Sequence, residues 1–208
     1  MQSKLLIGSV LLALGLVSAN AITMVAGINF QDNAFADSVI SSSGGYTLTG
    51  AATLSGAVTG SSLNKYALSD STRGASLMLG FTDNFLVNGA GNDLVLFEFG
   101  TASTFSVTVL GITHNYLSAA TGYTTVFGLT TVGINAAQIN LSDFGIADGT
   151  QFSSILIGMG VGPSVPSLSV AGALNTAPVG PASLPDAGAT ITMLGMAFVG
   201  LGLLKRKL

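Results

Sequence analysis

From residue 46 to residue 174 the chain is a succession of short runs in which polar and apolar side chains alternate, each closed by a cluster of Gly, Asn, Ser or Asp. Residues 104–112 (TFSVTVLGI) set Phe105, Val107 and Val109 against Thr104, Ser106 and Thr108. That period of two fits a half-buried strand and does not fit a helix. The other runs are YTLTG with its continuation ATLSGAV, ASLMLGF, DLVLFEFG, YTTVFGLTTVGI, QINLSDFGI, FSSILIGMGV and SLSVAGAL. NGAGN, FGTAS, HNYLSAATG and ADGT read as turns between them, with His114-Asn115-Tyr116 in a loop. Eight or nine such strands without a sustained helical period predict an all-β domain, an antiparallel β-sandwich or jelly-roll-like fold. Thr, Val and Phe, abundant throughout, suit its pleated faces.

Both ends depart from this pattern. At the start, Lys4 and the free amine precede an apolar stretch from Leu5 to Val17, followed by Ala19-Asn20-Ala21. Small residues at Ala19 and Ala21 form an A-x-A site for signal peptidase, so residues 1–21 read as a signal peptide and Ile22 as the mature N-terminus. The domain is then 22–174. All five prolines fall in the last quarter of the chain, and residues 175–183 (NTAPVGPAS) read as an extended linker.

Residues 184–208 form a three-part tail: a polar hinge Leu184-Pro185-Asp186-Ala187-Gly188, an apolar run from Ala189 to Leu204, and the cations Lys205, Arg206 and Lys207. The apolar run can enter a bilayer, and the cations resist crossing it, which leaves the hinge outside and the terminus in the cytoplasm. The run's sixteen residues cover about 24 Å as a helix, against a hydrocarbon core of about 30 Å. Gly195, Gly200 and Gly202 weaken that helix further. A transient stop that is later cut fits such a span better than a permanent anchor, the competing reading.

This tail resembles the C-terminal sorting signals that exosortases recognise in exopolysaccharide-producing Gram-negative bacteria, the PEP-CTERM class. One variant hinge reads Val-Pro-Asp-Ser-Gly, and residues 184–188 match it at Pro185, Asp186 and Gly188, with Leu184 for Val and Ala187 for Ser. The hinge is less similar to the Leu-Pro-x-Thr-Gly signal of Gram-positive sortases, because Ala187 stands where Thr flanks the scissile bond. The resemblance implies transient inner-membrane insertion, an exosortase-like processing enzyme, and release to the cell surface or extracellular matrix. Residues 81–100 (FTDNFLVNGAGNDLVLFEFG) also resemble a pattern in secreted and surface β-sandwich proteins with such tails, where a Gly-x-Gly-x-Asp turn enters a strand ending in Phe-Glu. That likeness implies a sandwich on an exported scaffold and carries no catalytic residues.

Residues 89–93 (GAGND) look like one copy of the nonapeptide of calcium-binding β-rolls, an architecture that needs stacked copies. A single copy reads first as a tight turn. Asp83, Asp93 and Glu98, close in sequence, are the chain's calcium candidates, since calcium takes six to eight oxygens.

Between residues 22 and 188 only Lys65 and Arg73 oppose nine acids, a net charge of −7. Such a surface repels the phosphate backbone, which excludes nucleic acid as a partner and leaves divalent cations and neutral polysaccharide. With no Cys, stability must come from a packed core. His114 is the only histidine and no Gly-x-Ser-x-Gly elbow accompanies it, so neither a triad nor a zinc site is expected. A glycosidase needs two carboxylates across a cleft; no aromatic platform accompanies the acids here, for there is no Trp and Tyr46, Tyr66, Tyr116 and Tyr123 are scattered. The expectation is an exported, non-enzymatic surface or matrix protein associated with biofilm exopolysaccharide. The alternative is a carbohydrate- or calcium-binding module on the same scaffold.

Overall fold

Two runs, LVLFEF and SLSVAGA, are buried along their whole length. A strand covered on both faces has no need to alternate, and these two form the middle of the molecule. The computed structural model describes residues 21–70, 74–160 and 165–179. The signal-peptide residues up to Asn20, including Ala19, and the whole tail lie outside the described residues.

A hairpin of β1 (Ile22–Val25) and β2 (Ile28–Gln31) opens the domain, followed by β3 (Ser38–Ser43), β4 (Tyr46–Thr49) and the short helix α1 (Leu54–Val58). Next come β5 (Tyr66–Ser69), β6 (Ala75–Gly80), β7 (Asn84–Val87) and β8 (Leu94–Phe99). Strands β9 (Thr104–Val109), β10 (Ile112–Leu117), β11 (Ala119–Phe127) and β12 (Thr130–Ile139) lead to a 3₁₀ turn at Leu141–Phe144. The chain closes with β13 (Gln151–Phe152), β14 (Ser154–Met159), β15 (Ser167–Ala173) and β16 (Thr176–Pro178).

Two antiparallel sheets stack face to face. The five-stranded sheet runs β10-β9-β14-β6-β3 and the six-stranded sheet β11-β12-β8-β15-β5-β4. Their inner faces supply the main core: Leu77, Leu79, Phe105, Val107, Ile155 and Ile157 from one, Leu94, Leu96, Ile139, Leu168 and Ala171 from the other. This is the antiparallel sandwich expected from the alternation.

A second core lies on the outer face of the six-stranded sheet. Val95, Phe97 and Phe99 of β8, Ile134 and Ala136 of β12 and Val170 of β15 pack there beneath Val25, Phe30, Ala34 and Phe35. The lid strands β1 and β2 turn through Ala26 and Gly27, both at positive φ (46° and 82°), as a two-residue hairpin requires. A bulge between Leu168 and Val170 lets β15 serve both cores. Gly172 is needed beneath Phe30, because a Cβ there would stand 2.6 Å from its ring.

Several segments differ from the sequence expectation. ATLSGAV is not a strand: Leu54–Val58 is helical, capped by Thr53 Oγ1, which accepts from Gly56 N. His114-Asn115-Tyr116 belongs to β10, in register with β9. QINLSDFGI is a strand only as far as Ile139; Leu141–Phe144 is the 3₁₀ turn, capped by Asn140, whose Oδ1 accepts from Ser142 N. The domain also extends past residue 174, since Thr176–Pro178 pairs with β7. The first part of the expected linker is therefore a strand.

Candidate functional site

The three calcium candidates are directed to three different environments. Asp93 is completely buried where β8 begins. Its Oδ1 accepts from Gly89 N and Asn175 Nδ2, each at 2.7 Å, and its Oδ2 accepts from Leu141 N at 2.8 Å. Every contact is to a donor, so the carboxylate ties together the 88–92 turn, the 3₁₀ turn and the start of β16. It is a structural group.

Glu98 is likewise fully buried, on the face of β8 that carries Leu94 and Leu96. Its Oε1 accepts from Ser103 N at 2.6 Å and from the Ser118 hydroxyl, while Oε2 has no partner at hydrogen-bond geometry. Burial pushes this carboxyl above the usual carboxylate range, against the pull of Ser118, Ser103 and the Ser167 backbone.

Asp83 is exposed and pairs with neither. Its neighbour is Asp37, whose Oδ2 accepts from Thr82 N at 2.6 Å and Asp83 N at 3.3 Å. Burial pushes Asp37 up, but these bonds and Ser38 outweigh it and hold the group below the usual range. Burial and the Asp37 charge push Asp83 the other way. Among the described residues no group of three His, Cys, Asp or Glu side chains converges, so the calcium set drawn from sequence proximity is corrected. The cause is geometric: side chains of a strand alternate between faces, and a buried carboxylate takes backbone donors wherever the turns supply them.

His114 is exposed and meets Phe144 edge-on, ring centres 4.8 Å apart; beside it Tyr116 donates to Asp143 Oδ2 at 3.0 Å.

What the sequence reading missed is aromatic. Tyr66, Phe99 and Phe127 come from β5, β8 and β11 and meet edge-to-face, with ring centres 4.9–5.5 Å apart. The sequence expectation weighed the tyrosines alone, and only as a platform beside the acids; here Tyr66 meets two phenylalanines in a cleft whose lining holds no carboxylate among the described residues. The three rings line an open cleft of about 610 Å³ together with Leu68, Val132 and Val165 and the polar residues Thr101, Ser103, Thr130 and Ser167. No charged side chain lines it among the described residues.

Its walls are fixed from behind. Ser167 Oγ accepts from Phe99 N and donates to Phe99 O, both at 3.0 Å, and Glu98 holds the Ser103 backbone through the sheet. Gly100 is clamped to β12 by Gly133 O and the Asn135 amide. Such a cleft is preformed, so a ligand would not have to order it.

The Glu98 pKa has a measurable consequence. A carboxyl whose folded pKa lies above its unfolded value stabilises fully below the unfolded pKa and loses that contribution as pH rises through the folded one. Melting temperature should fall as pH is raised from the ordinary carboxylate range through the elevated Glu98 pKa. Glu98→Gln keeps an acceptor for Ser103 and Ser118 and should flatten that slope. An unchanged slope in the variant would assign the pH dependence elsewhere.

Fold and site thus define an antiparallel β-sandwich with a preformed, uncharged aromatic cleft. At its C-terminus, residues 185–208 match the VPDSG-CTERM motif, a PEP-CTERM-like C-terminal sorting signal. A signal of this kind implies export and cell-surface localisation, and processing by an exosortase-like enzyme in general. No curated protein and no solved structure matches the chain. Among the described residues no helix is long and apolar enough to cross a membrane, and the apolar run 189–204 lies outside them.

Proposed function

We propose that the chain is a non-enzymatic protein of the cell surface or the extracellular matrix around it, delivered through transient insertion of its tail in the inner membrane and needing no cofactor. The observation that carries this reading is the sorting-signal match at residues 185–208, with Pro185, Asp186 and Gly188 in the hinge and three cations behind the apolar run. The described domain supports it. Asp93 and Glu98 are taken up in structural hydrogen bonds, which leaves neither as a free acid or base at the surface. Among the described residues no carboxylate lines the cleft.

Signal-peptide removal also fits the fold. Ile22 is the first residue of β1, and Ala21 contributes one bond, from Asp32 N to its carbonyl at 2.9 Å. Cleavage after Ala21 would cost the hairpin only that terminal bond. N-terminal sequencing of surface protein should therefore begin at Ile22; material that retains Met1 would refute this route of export. A second reading, a carbohydrate-binding module, is favoured by one specific feature, the aromatic cleft.

A further inference from the structure

We propose that the cleft lined by Tyr66, Phe99 and Phe127 binds a neutral polysaccharide, one sugar ring packed against the half-buried rings of Tyr66 and Phe127 with its hydroxyls turned to Tyr66, Thr101 and Thr130. This deepens the carbohydrate-binding reading and names its site and ligand class.

An aromatic floor suits a ligand with an apolar face, since ring surfaces gain from contact with C–H groups and bury a large area for few rotatable bonds. Phe127 and Tyr66 are half-buried, so their rings are partly open to the cleft. The hydroxyls beside them set the second requirement. Those of Tyr66, Thr101 and Thr130 make no hydrogen bond to protein in the described residues, whereas Ser103 and Ser167 are already committed. Three uncommitted hydroxyls around a floor of rings call for a ligand that combines C–H faces with many donors and acceptors. A pyranose ring has both.

Charge narrows the class. Residues 22–188 carry −7, and the cleft lining carries none of it. A uronate polymer would meet repulsion on approach and find no cation on arrival. A neutral glycan meets neither obstacle. An apolar peptide would cover the floor but leave the three hydroxyls unpaired, at a desolvation cost.

The test is affinity electrophoresis of the full-length chain, held in a zwitterionic detergent that carries no sugar. The gels contain dextran, mannan, galactan, β-1,4-glucan or, as the acidic comparison, alginate. The cleft should give saturable retardation in at least one neutral gel and none in alginate. Phe127→Ala should weaken that retardation at least about tenfold, and Tyr66→Phe, which removes one hydroxyl, about fivefold. Thr101→Ala and Thr130→Ala alter exposed side chains only. They should weaken binding while leaving the ligand-free melting temperature unchanged, which separates loss of binding from loss of fold. No retardation in any neutral gel would overturn the proposal. So would retardation in alginate alone, retardation indifferent to all four substitutions, or saturable capture of an uncharged Leu/Val-rich peptide with no glycan bound. Tail processing is not needed for this experiment, so its failure is distinguishable from failure of the sorting reading.

Discussion

Asp93→Ala destabilises the domain by about 3–5 kcal/mol, a large share of the 5–15 kcal/mol that holds a typical domain together. The substitution strands three donors, Gly89 N, Leu141 N and Asn175 Nδ2, each at 2.7–2.8 Å from the carboxylate. A buried donor left without a partner costs about 1–3 kcal/mol; Asp93 and its bond from Leu141 are fully buried, and the bonds from Gly89 and Asn175 are part-buried. Asp93→Asn separates hydrogen bonding from shape. Because both carboxylate oxygens accept, an amide placed either way points its NH₂ at a donor and loses at least one bond. It should fall between the wild type and the Ala variant. Asn175→Ala removes a single partner and should cost least of the three. Chemical denaturation of the set measures the order directly. A near-neutral Asp93→Ala would mean that the turn, the 3₁₀ segment and the start of β16 are held by packing instead.

The same residue shows where sequence reasoning worked and where it stopped. The alternation in TFSVTVLGI and the continuous apolar runs in DLVLFEFG and SLSVAGAL were legible because burial of one or both faces imposes a period that local sequence cannot hide. The GAGND turn was equally plain. What Asp93 does there was not, since its partners Leu141 and Asn175 are brought in by tertiary structure. The opening strands β1 to β3 escaped notice for another reason. They are short, and much of β3 is polar and exposed, so their pattern is carried by few residues. In ATLSGAV the alternation is real, but Thr53 is a good helix cap, and Ala57 and Val58 reach the core from a helix as well as from a strand. The cleft was the least legible feature. Tyr66, Phe99 and Phe127 stand on three strands far apart in the chain, no two of them adjacent in the sheet, and only packing across its outer face brings the rings together.

The second large effect concerns the tail, which sequence alone made legible because its parts are contiguous. Pro185 fixes its own φ and biases Leu184 towards an extended conformation, and Gly188 frees the chain just before the apolar run. On the proposed reading, a processing enzyme at the outer interface would grip this hinge, with Asp186 as its charged handle. Pro185→Ala or Asp186→Ala should block processing and accumulate full-length protein in the inner membrane, an all-or-none change visible by fractionation. Replacing Lys205, Arg206 and Lys207 with Gln removes the resistance to translocation and should reduce processing by a different route, by letting the segment slip through the bilayer. Equal processing of all these variants would remove the hinge and the cations from the account.

The central claim is that the tail is a signal that is used and lost. Intact mass spectrometry of protein recovered from the cell surface or matrix tests it most directly. The expected mass is that of a chain beginning at Ile22 and lacking residues 189–208. A mass that retains the Lys205-Arg206-Lys207-Leu208 terminus would contradict the claim and make the tail a simple anchor.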